Sequence, residues 1–174
     1  MYDVNRLILC TFNATHTPLY YYRKHLASGN FLDQPLNMSL EVIEHQGIRY
    51  AEIIWANVRV TQTTFYSPAE SSFQFGLLAH GANYEEPAHY HQPFERTISD
   101  LQQMFVVQKG KVGIKLFDND GVLLRDVVLN PGDAIVLIHG AHAMYVIEDM
   151  QCISVKQGPF LGDKFDKILI KVKE

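Results

Sequence analysis

Residues 104–156 read MFVVQKGKVGIKLFDNDGVLLRDVVLNPGDAIVLIHGAHAMYVIEDMQCISVK, and this stretch decides the fold class. Its apolar residues alternate with polar ones or form short runs, and turn-forming residues interrupt them about every ten positions. That spacing is typical of an antiparallel sandwich or barrel and leaves little room for helices. The same pattern begins near Ser72, so we predict an all-β barrel with its C-terminal strand over 72–174.

Turn signals set the predicted strand limits. The Asp-Gly pair in 118–121, the Asn-Pro-Gly-Asp stretch 130–133 and His139-Gly140 all favour chain reversal. They bound predicted strands at 122–129, 134–138, 141–147 and 151–156. Lys109-Gly110 predicts a tight hairpin turn between strands 104–108 and 112–117. Further upstream, Phe73, Phe75, Leu77 and Ala79 lie on one face of another candidate strand.

The first 71 residues are less regular, and we interpret them as an N-terminal extension of the same domain. A short helix is predicted near 20–27, and strand-like segments follow at 41–43 and 49–60. Two roles stay open for this extension, because exposed sheet edges need protection: it covers a sheet edge or pairs with a second copy of the chain.

Composition limits the class of protein. With 174 residues, of which 47% are hydrophobic, the chain is long enough for one domain with a real core. The net charge is −4 and the 15 basic residues are dispersed, which argues against nucleic acid as a partner. Cys10 and Cys152 are too few for a disulfide framework, and no stretch is long enough to cross a bilayer. We therefore expect a cytoplasmic protein with free thiols and no membrane association.

Two separate segments carry histidines with the spacing of metal ligands. His89 and His91 stand two apart in a segment that we interpret as extended, so both imidazoles project from one face. His142 alternates with the apolar Met144 and Val146, which directs it toward the core. Because a buried imidazole needs a partner for its nitrogens, a divalent metal shared by the three histidines is the prediction.

These segments resemble the two motifs of the cupin superfamily, in particular a group of small, uncharacterised bacterial cupins, over roughly His80 to Phe160. In that resemblance His89, His91 and His142 fall on the motif histidines, Gly110 on the closing glycine of the first motif and Gly132-Asp133 on the opening of the second. The fold implied is the double-stranded β-helix, a jelly-roll barrel closed over a pocket. A homodimer is also implied.

The fourth ligand departs from the resemblance, which places a glutamate where this chain has Gln103. Gln103 shares a face with Phe105 and Val107, and its amide oxygen is able to ligate a metal. Glu95 is the competing oxygen ligand but sits in a long loop, so we prefer Gln103. An ion held by three imidazoles and one amide keeps its full positive charge and so favours an anionic ligand. Iron, zinc, nickel, copper and manganese all suit these donors.

Three functions follow as hypotheses. The first is a metal-dependent enzyme, an oxygenase or an isomerase, which acts on a small oxygenated or anionic molecule. The second is a non-catalytic module that binds a small molecule or sugar in the same pocket, since one fold hosts both uses. The third is a purely structural role, in which the histidines find hydrogen-bond partners in the core. In the metal hypotheses His89, His91, Gln103 and His142 are the ligands, and the catalytic residues are unknown.

Overall fold

The computed structural model describes residues 40–173, in which eight strands and one short helix follow each other along the chain. The elements are β1 Glu41–His45, β2 Ile48–Ile54, β3 Thr64–Phe65, β4 Gly76–Leu77, β5 Gln103–Phe117, β6 Leu123–Leu129, β7 Ala134–Leu137, β8 Ala141–Lys156 and α1 Asp163–Asp166. The protein is thus mostly β, as the alternating sequence pattern predicts. No helix within 40–173 has the length and apolar character needed to cross a membrane.

Six strands form one antiparallel sheet in the order β1-β2-β7-β5-β6, and β8 also pairs with β5. The β5–β8 ribbon is strongly curled. Phe105 and Leu116 would lie about 35 Å apart along a straight strand. His142 pairs with Leu116, yet its ring centroid lies 6.4 Å from that of Phe105. The sheet is therefore a curled antiparallel half-barrel.

β5 is the central strand of this half-barrel, and it corrects the hairpin predicted at Lys109-Gly110. The chain does not reverse there, because residues 103–117 form one continuous strand. Its first half pairs with β7 and its second half with β6, while β8 follows it throughout. Gly110 adopts φ +75°, and the register with β8 shifts on both sides of Lys109. The glycine thus supplies a bulge that bends the strand.

Each face of the sheet carries its own apolar cluster. The inner cluster, where Phe105 meets His142, consists of Ala51, Ile53, Val107, Val112, Ile114, Leu116, Val127, Leu129, Ile135 and Leu137. The outer cluster consists of Ile54, Val58, Phe75, Ala134 and Val136. Phe73 and Leu77 pack against the outer cluster, so the predicted apolar face of 73–79 is confirmed, although only Gly76–Leu77 forms a strand there.

Two of the predicted turns are confirmed. Gly121, at φ +82°, donates its backbone N–H to the carbonyl of Asp118 at 3.2 Å. Gly132, at φ +91°, closes the next turn, in which Asp133 donates its backbone N–H to the carbonyl of Asn130 at 3.0 Å. Positive φ is costly for residues with a Cβ, which explains why glycine marks both positions in the sequence.

The strand segments predicted within the N-terminal extension correspond to β1 and β2. These two strands pair with each other, and β2 also pairs with β7, so residues 41–54 belong to the half-barrel sheet. The helix predicted at 20–27 lies outside the described residues, as does Cys10. Cys152 is described and is a free thiol. The division of the domain at residue 72 and the jelly-roll topology stay predictions.

Candidate functional site

A cleft of about 240 Å³ opens at the mouth of the half-barrel, where β5, β7 and β8 begin or end. We call it the mouth cleft. It is lined by Asp100, Leu101, Gln103, Leu137, Ile138, His139, Gly140 and His142. Two of the four predicted metal ligands, Gln103 and His142, thus face the same space. One amide, two imidazoles and one carboxylate give this cleft several groups that hydrogen bond to, or ligate, a small molecule.

β8 positions His142 on the inner face of the sheet. Its strand partner is Leu116, and two residues further along Met144 pairs with Ile114. Both partners are fully buried in the inner cluster, so His142 shares their face of the sheet, although its own side chain is exposed. Desolvation by neighbouring protein atoms, aided by the positive charge of Lys167, lowers the pKa of His142 from its ordinary value. This shift favours the neutral imidazole, which offers a nitrogen lone pair.

Gln103 begins β5 and is oriented by a side-chain hydrogen bond. Its Nε2 donates to Ser154 Oγ at 2.9 Å across the β5–β8 pair. This bond uses one N–H of the amide, so Gln103 keeps its carbonyl oxygen and a second N–H for a ligand.

His139 also lines the mouth cleft, in the turn between β7 and β8. It is exposed, as expected for a histidine at the barrel mouth. Asn119 Nδ2 lies 3.1 Å from His139 Nε2 and donates to it, and the ring packs edge-on against Tyr50 at 5.4 Å between centroids. Gly140 must remain small, since an added Cβ would meet the Phe117 carbonyl oxygen and the Tyr50 ring.

His89 and His91 lie in the exposed loop 78–102, outside any strand of the described structure. Their ring centroids are 5.3 Å apart, so the two imidazoles are neighbours. His89 Nδ1 donates to the carbonyl of Pro87 at 3.0 Å, which leaves Nε2 for a ligand. Glu95, the alternative oxygen ligand, is exposed in the same loop.

The structure thus gathers the four predicted ligands as two pairs, Gln103 with His142 in the mouth cleft and His89 with His91 in the loop. Among residues 40–173, no three His, Cys, Asp or Glu side chains lie close enough together to hold one metal ion. The assignment of all four residues to one metal site stays a prediction.

Glu52 is a buried charged residue that the sequence interpretation passed over. It lies in β2, it is 0% exposed, and Arg49 forms an ion pair with its Oε1. Its second oxygen, Oε2, has no hydrogen-bond partner. Burial raises the pKa of Glu52, and the positive charge of Arg49 opposes that shift. One signal was available: a glutamate within the apolar run 50–55 is unusual unless its charge is paired.

The pKa of His142 provides a test of the mouth cleft. We expect it below 6.5 by NMR titration, and we expect Lys167→Gln to raise it without restoring 6.5, because burial is the larger cause. The matched control Lys164→Gln should leave the titration unchanged. Since folding favours the neutral ring, the stability contributed by His142 is lost as pH falls below about 6.5. A His142 pKa at or above 6.5 in the native protein would contradict this environment.

Comparisons of the chain with protein-family models, with curated proteins and with solved structures find no match.

Proposed function

We propose that the mouth cleft binds a small oxygenated or anionic molecule together with a divalent transition metal, in a cupin-like barrel of the jelly-roll type. The ligands of the proposed metal are His142, Gln103, His89 and His91. The observation that carries the proposal is the convergence of His142, His139 and Gln103 on one cleft at the end of a curled sheet. Imidazole and amide oxygen donors suit iron, zinc, nickel, copper and manganese.

The donor set fits the proposed metal only in part. Gln103 and His142 share the cleft, whereas the histidine pair belongs to the loop 78–102. This loop ends in the cleft wall, because Asp100 and Leu101 line it. The nine residues from His91 to Asp100 span at most about 30 Å when extended, so the pair is tethered within reach of the cleft. All four residues can hold one metal ion only if the loop 78–102 moves toward the cleft.

A positive charge near the cleft supports an anionic ligand. Lys167 is close enough to His142 to lower its pKa, although its Nζ also pairs with Asp163 Oδ1 at 3.0 Å. A carboxylate or enolate at this position would gain from that positive charge and would accept a hydrogen bond from an imidazole N–H. Among residues 40–173, Asp100 is the one carboxylate that lines the cleft, and its two oxygens already accept from Gln102 and Ser72 at 2.7 and 3.1 Å.

With a complete metal shell the protein would belong to the metal-dependent enzymes, of the oxygenase or isomerase class. A bound cation of this kind polarises an oxygenated substrate. The alternative is a non-catalytic binding module, which the Lys167 charge and the hydrogen-bonding groups of the cleft support without any metal. A cytoplasmic location is part of either proposal.

A homodimer is a further part of the proposal. Among residues 40–173 the sixteen-residue strand β8 pairs only with β5, so its other edge has no strand partner within that part of the chain. The strand also exposes large apolar side chains, among them Val146 and Ile147, at 58% and 46%. Proteins protect such edges, and a second copy of the chain provides a matching strand.

Elemental analysis tests the metal proposal directly. The native protein, after incubation with each of the five ions and exhaustive dialysis, should retain close to one ion per chain. The triple variant His89→Ala, His91→Ala, His142→Ala should retain less than about a tenth of that, because ligand loss costs 10-fold or more in affinity. The variant His45→Ala, which removes an imidazole from β1, serves as the control and should retain the native amount.

Equal metal retention by the native protein and the triple variant would reject the metal site. Retention lost with His142→Ala but preserved with the double variant His89→Ala, His91→Ala would reject the contribution of the loop. In either case the binding of a small anion at the mouth cleft becomes the leading proposal. Isothermal titration with a dicarboxylate such as succinate then measures that binding.

A further inference from the structure

The opposite face of the sheet holds a second cleft, centred on Glu52. Along β2, Ala51 and Ile53 belong to the inner cluster and Ile54 belongs to the outer one. By strand alternation Glu52 faces the outer side, as does its strand partner Val136. The Glu52 cleft therefore lies on the other face of the sheet from the inner cluster, and it adjoins the mouth cleft at Ile138, which lines both.

This cleft has a volume of about 210 Å³ and two kinds of wall. Phe73, Phe75, Pro68 and Ile138 provide the apolar wall. Glu52, Arg49, Gln102 and two serines provide the polar one. Small-molecule sites generally combine mostly apolar walls with a few placed polar groups, and this cleft has that composition.

The second oxygen of Glu52 is the feature that points to a ligand. Glu52 is fully buried, and Arg49 satisfies Oε1, but Oε2 has no hydrogen-bond partner. A buried carboxylate oxygen without a donor costs free energy, so such atoms are rare in native proteins. Nearby donors are directed to other acceptors: Gln102 Nε2 donates to Asp100 at 2.7 Å, and Ser67 Oγ donates to Gln74 Oε1 at 3.2 Å. Within residues 40–173 no donor is bonded to Oε2, which leaves this oxygen as an acceptor for a ligand.

The residues around Glu52 indicate the charge, shape and size of a ligand that carries such a donor. Arg49 already compensates the charge of Glu52, so a cation is not required. Phe73 and Phe75 border the cleft and favour a flat apolar group. Taking 30 Å³ per water in the liquid, the cleft has the volume of about seven waters, which limits the ligand to a single small ring with few substituents.

We propose that the Glu52 cleft binds a small ring that carries a hydroxyl group, with the hydroxyl donating to Glu52 Oε2 and the ring packed against Phe73 and Phe75. This binding site does not depend on the metal or on the mouth cleft. It gives Glu52 a role in ligand recognition in addition to its ion pair with Arg49.

Phenol and anisole are the matched probes, because anisole has the same ring and oxygen but no donor hydrogen. We expect phenol to bind saturably to the full-length protein with a dissociation constant on the order of 1 mM. Anisole should bind about tenfold more weakly, which is the effect of losing one hydrogen bond to a charged group. Amide chemical shifts in an NMR titration report both the affinity and the location, which should include Phe73 and Phe75, residues that line this cleft and not the mouth cleft.

Protein variants complete the test without removing Glu52, whose loss would leave Arg49 without its carboxylate. Ser71 lines the cleft from the loop between β3 and β4, so Ser71→Leu should fill it and weaken phenol at least tenfold. Ala69→Leu places the same bulk at an exposed position two residues away and should bind phenol normally. The proposal is overturned by absence of saturation at about 10 mM phenol, tenfold above the expected constant, by equal affinity for anisole, or by unchanged binding in Ser71→Leu.

Discussion

Asp133→Ala is expected to lower the free energy of unfolding by about 3–5 kcal/mol, since it removes two hydrogen bonds to one buried carboxylate. Asp133 is 5% exposed. Its Oδ1 accepts the backbone N–H of Ala56 and its Oδ2 accepts that of Asn130, both at 2.8 Å. The side chain thus ties the segment after β2 to the turn before β7. Alanine leaves both N–H groups without their acceptor.

Chemical denaturation of the variant and the native protein measures this effect. Asp120→Ala is the matched control: Asp120 is exposed in the β5–β6 turn, and its replacement should change stability by no more than about 0.5 kcal/mol. Asp133→Asn should fall between the two, because one amide oxygen can replace only one of the two acceptors. A loss below about 1 kcal/mol for Asp133→Ala would mean that the two backbone groups find other partners.

Leu116→Ala is expected to cost about 2–5 kcal/mol, the range for removing a large apolar side chain from a packed core. Leu116 is 1% exposed and belongs to the inner cluster. It pairs with His142, so the cavity left by the substitution also lies beneath the mouth cleft. We therefore expect the amide and ring resonances of His142 to shift in this variant.

Thermal or chemical unfolding gives the stability change, and NMR gives the effect on His142. Leu123→Ala, at a position 46% exposed in β6, is the control and should cost under about 1 kcal/mol. A similar loss in both variants would show that the inner face of the sheet is not a packed core.

Local sequence signals predicted the strand-rich fold well where turn chemistry was unambiguous. The Asp-Gly turn after Asp118 and the Pro-Gly turn before Asp133 fix their own geometry, since each glycine adopts a positive φ. Lys109-Gly110 carries the same kind of signal but forms a bulge. A glycine at positive φ serves a hairpin turn and a bulge alike, and only the distant partner β8 distinguishes the two. Short-range patterns do not contain that information.

In the candidate sites, too, local patterns predicted some features, whereas others depend on contacts between distant segments. Alternation in the segment 141–147 placed His142 on the face of its buried partner Leu116, whereas the strand break predicted after residue 147 is wrong, because 141–156 form one strand. The His89 and His91 segment lies in a loop that contains Pro87 and Pro93, where alternation no longer governs side-chain direction. Glu52 was missed although Arg49 lies three residues away, because the loop 66–75 that lines its cleft comes near only through the fold. The Glu52 cleft forms because the loop 66–75 lies beside β2, and local sequence patterns do not predict that contact.

The central position of β5 has a consequence for the order in which the chain is made. β2 is synthesised early, but its neighbour β7 emerges only after β5 and β6, and β8 emerges last. Until the ribosome has released Lys156, β5 lacks the strand that accompanies its whole length. Non-local pairings of this kind are formed late and slowly. A nascent chain stalled before β8 would therefore present open strand edges to chaperones rather than a folded half-barrel.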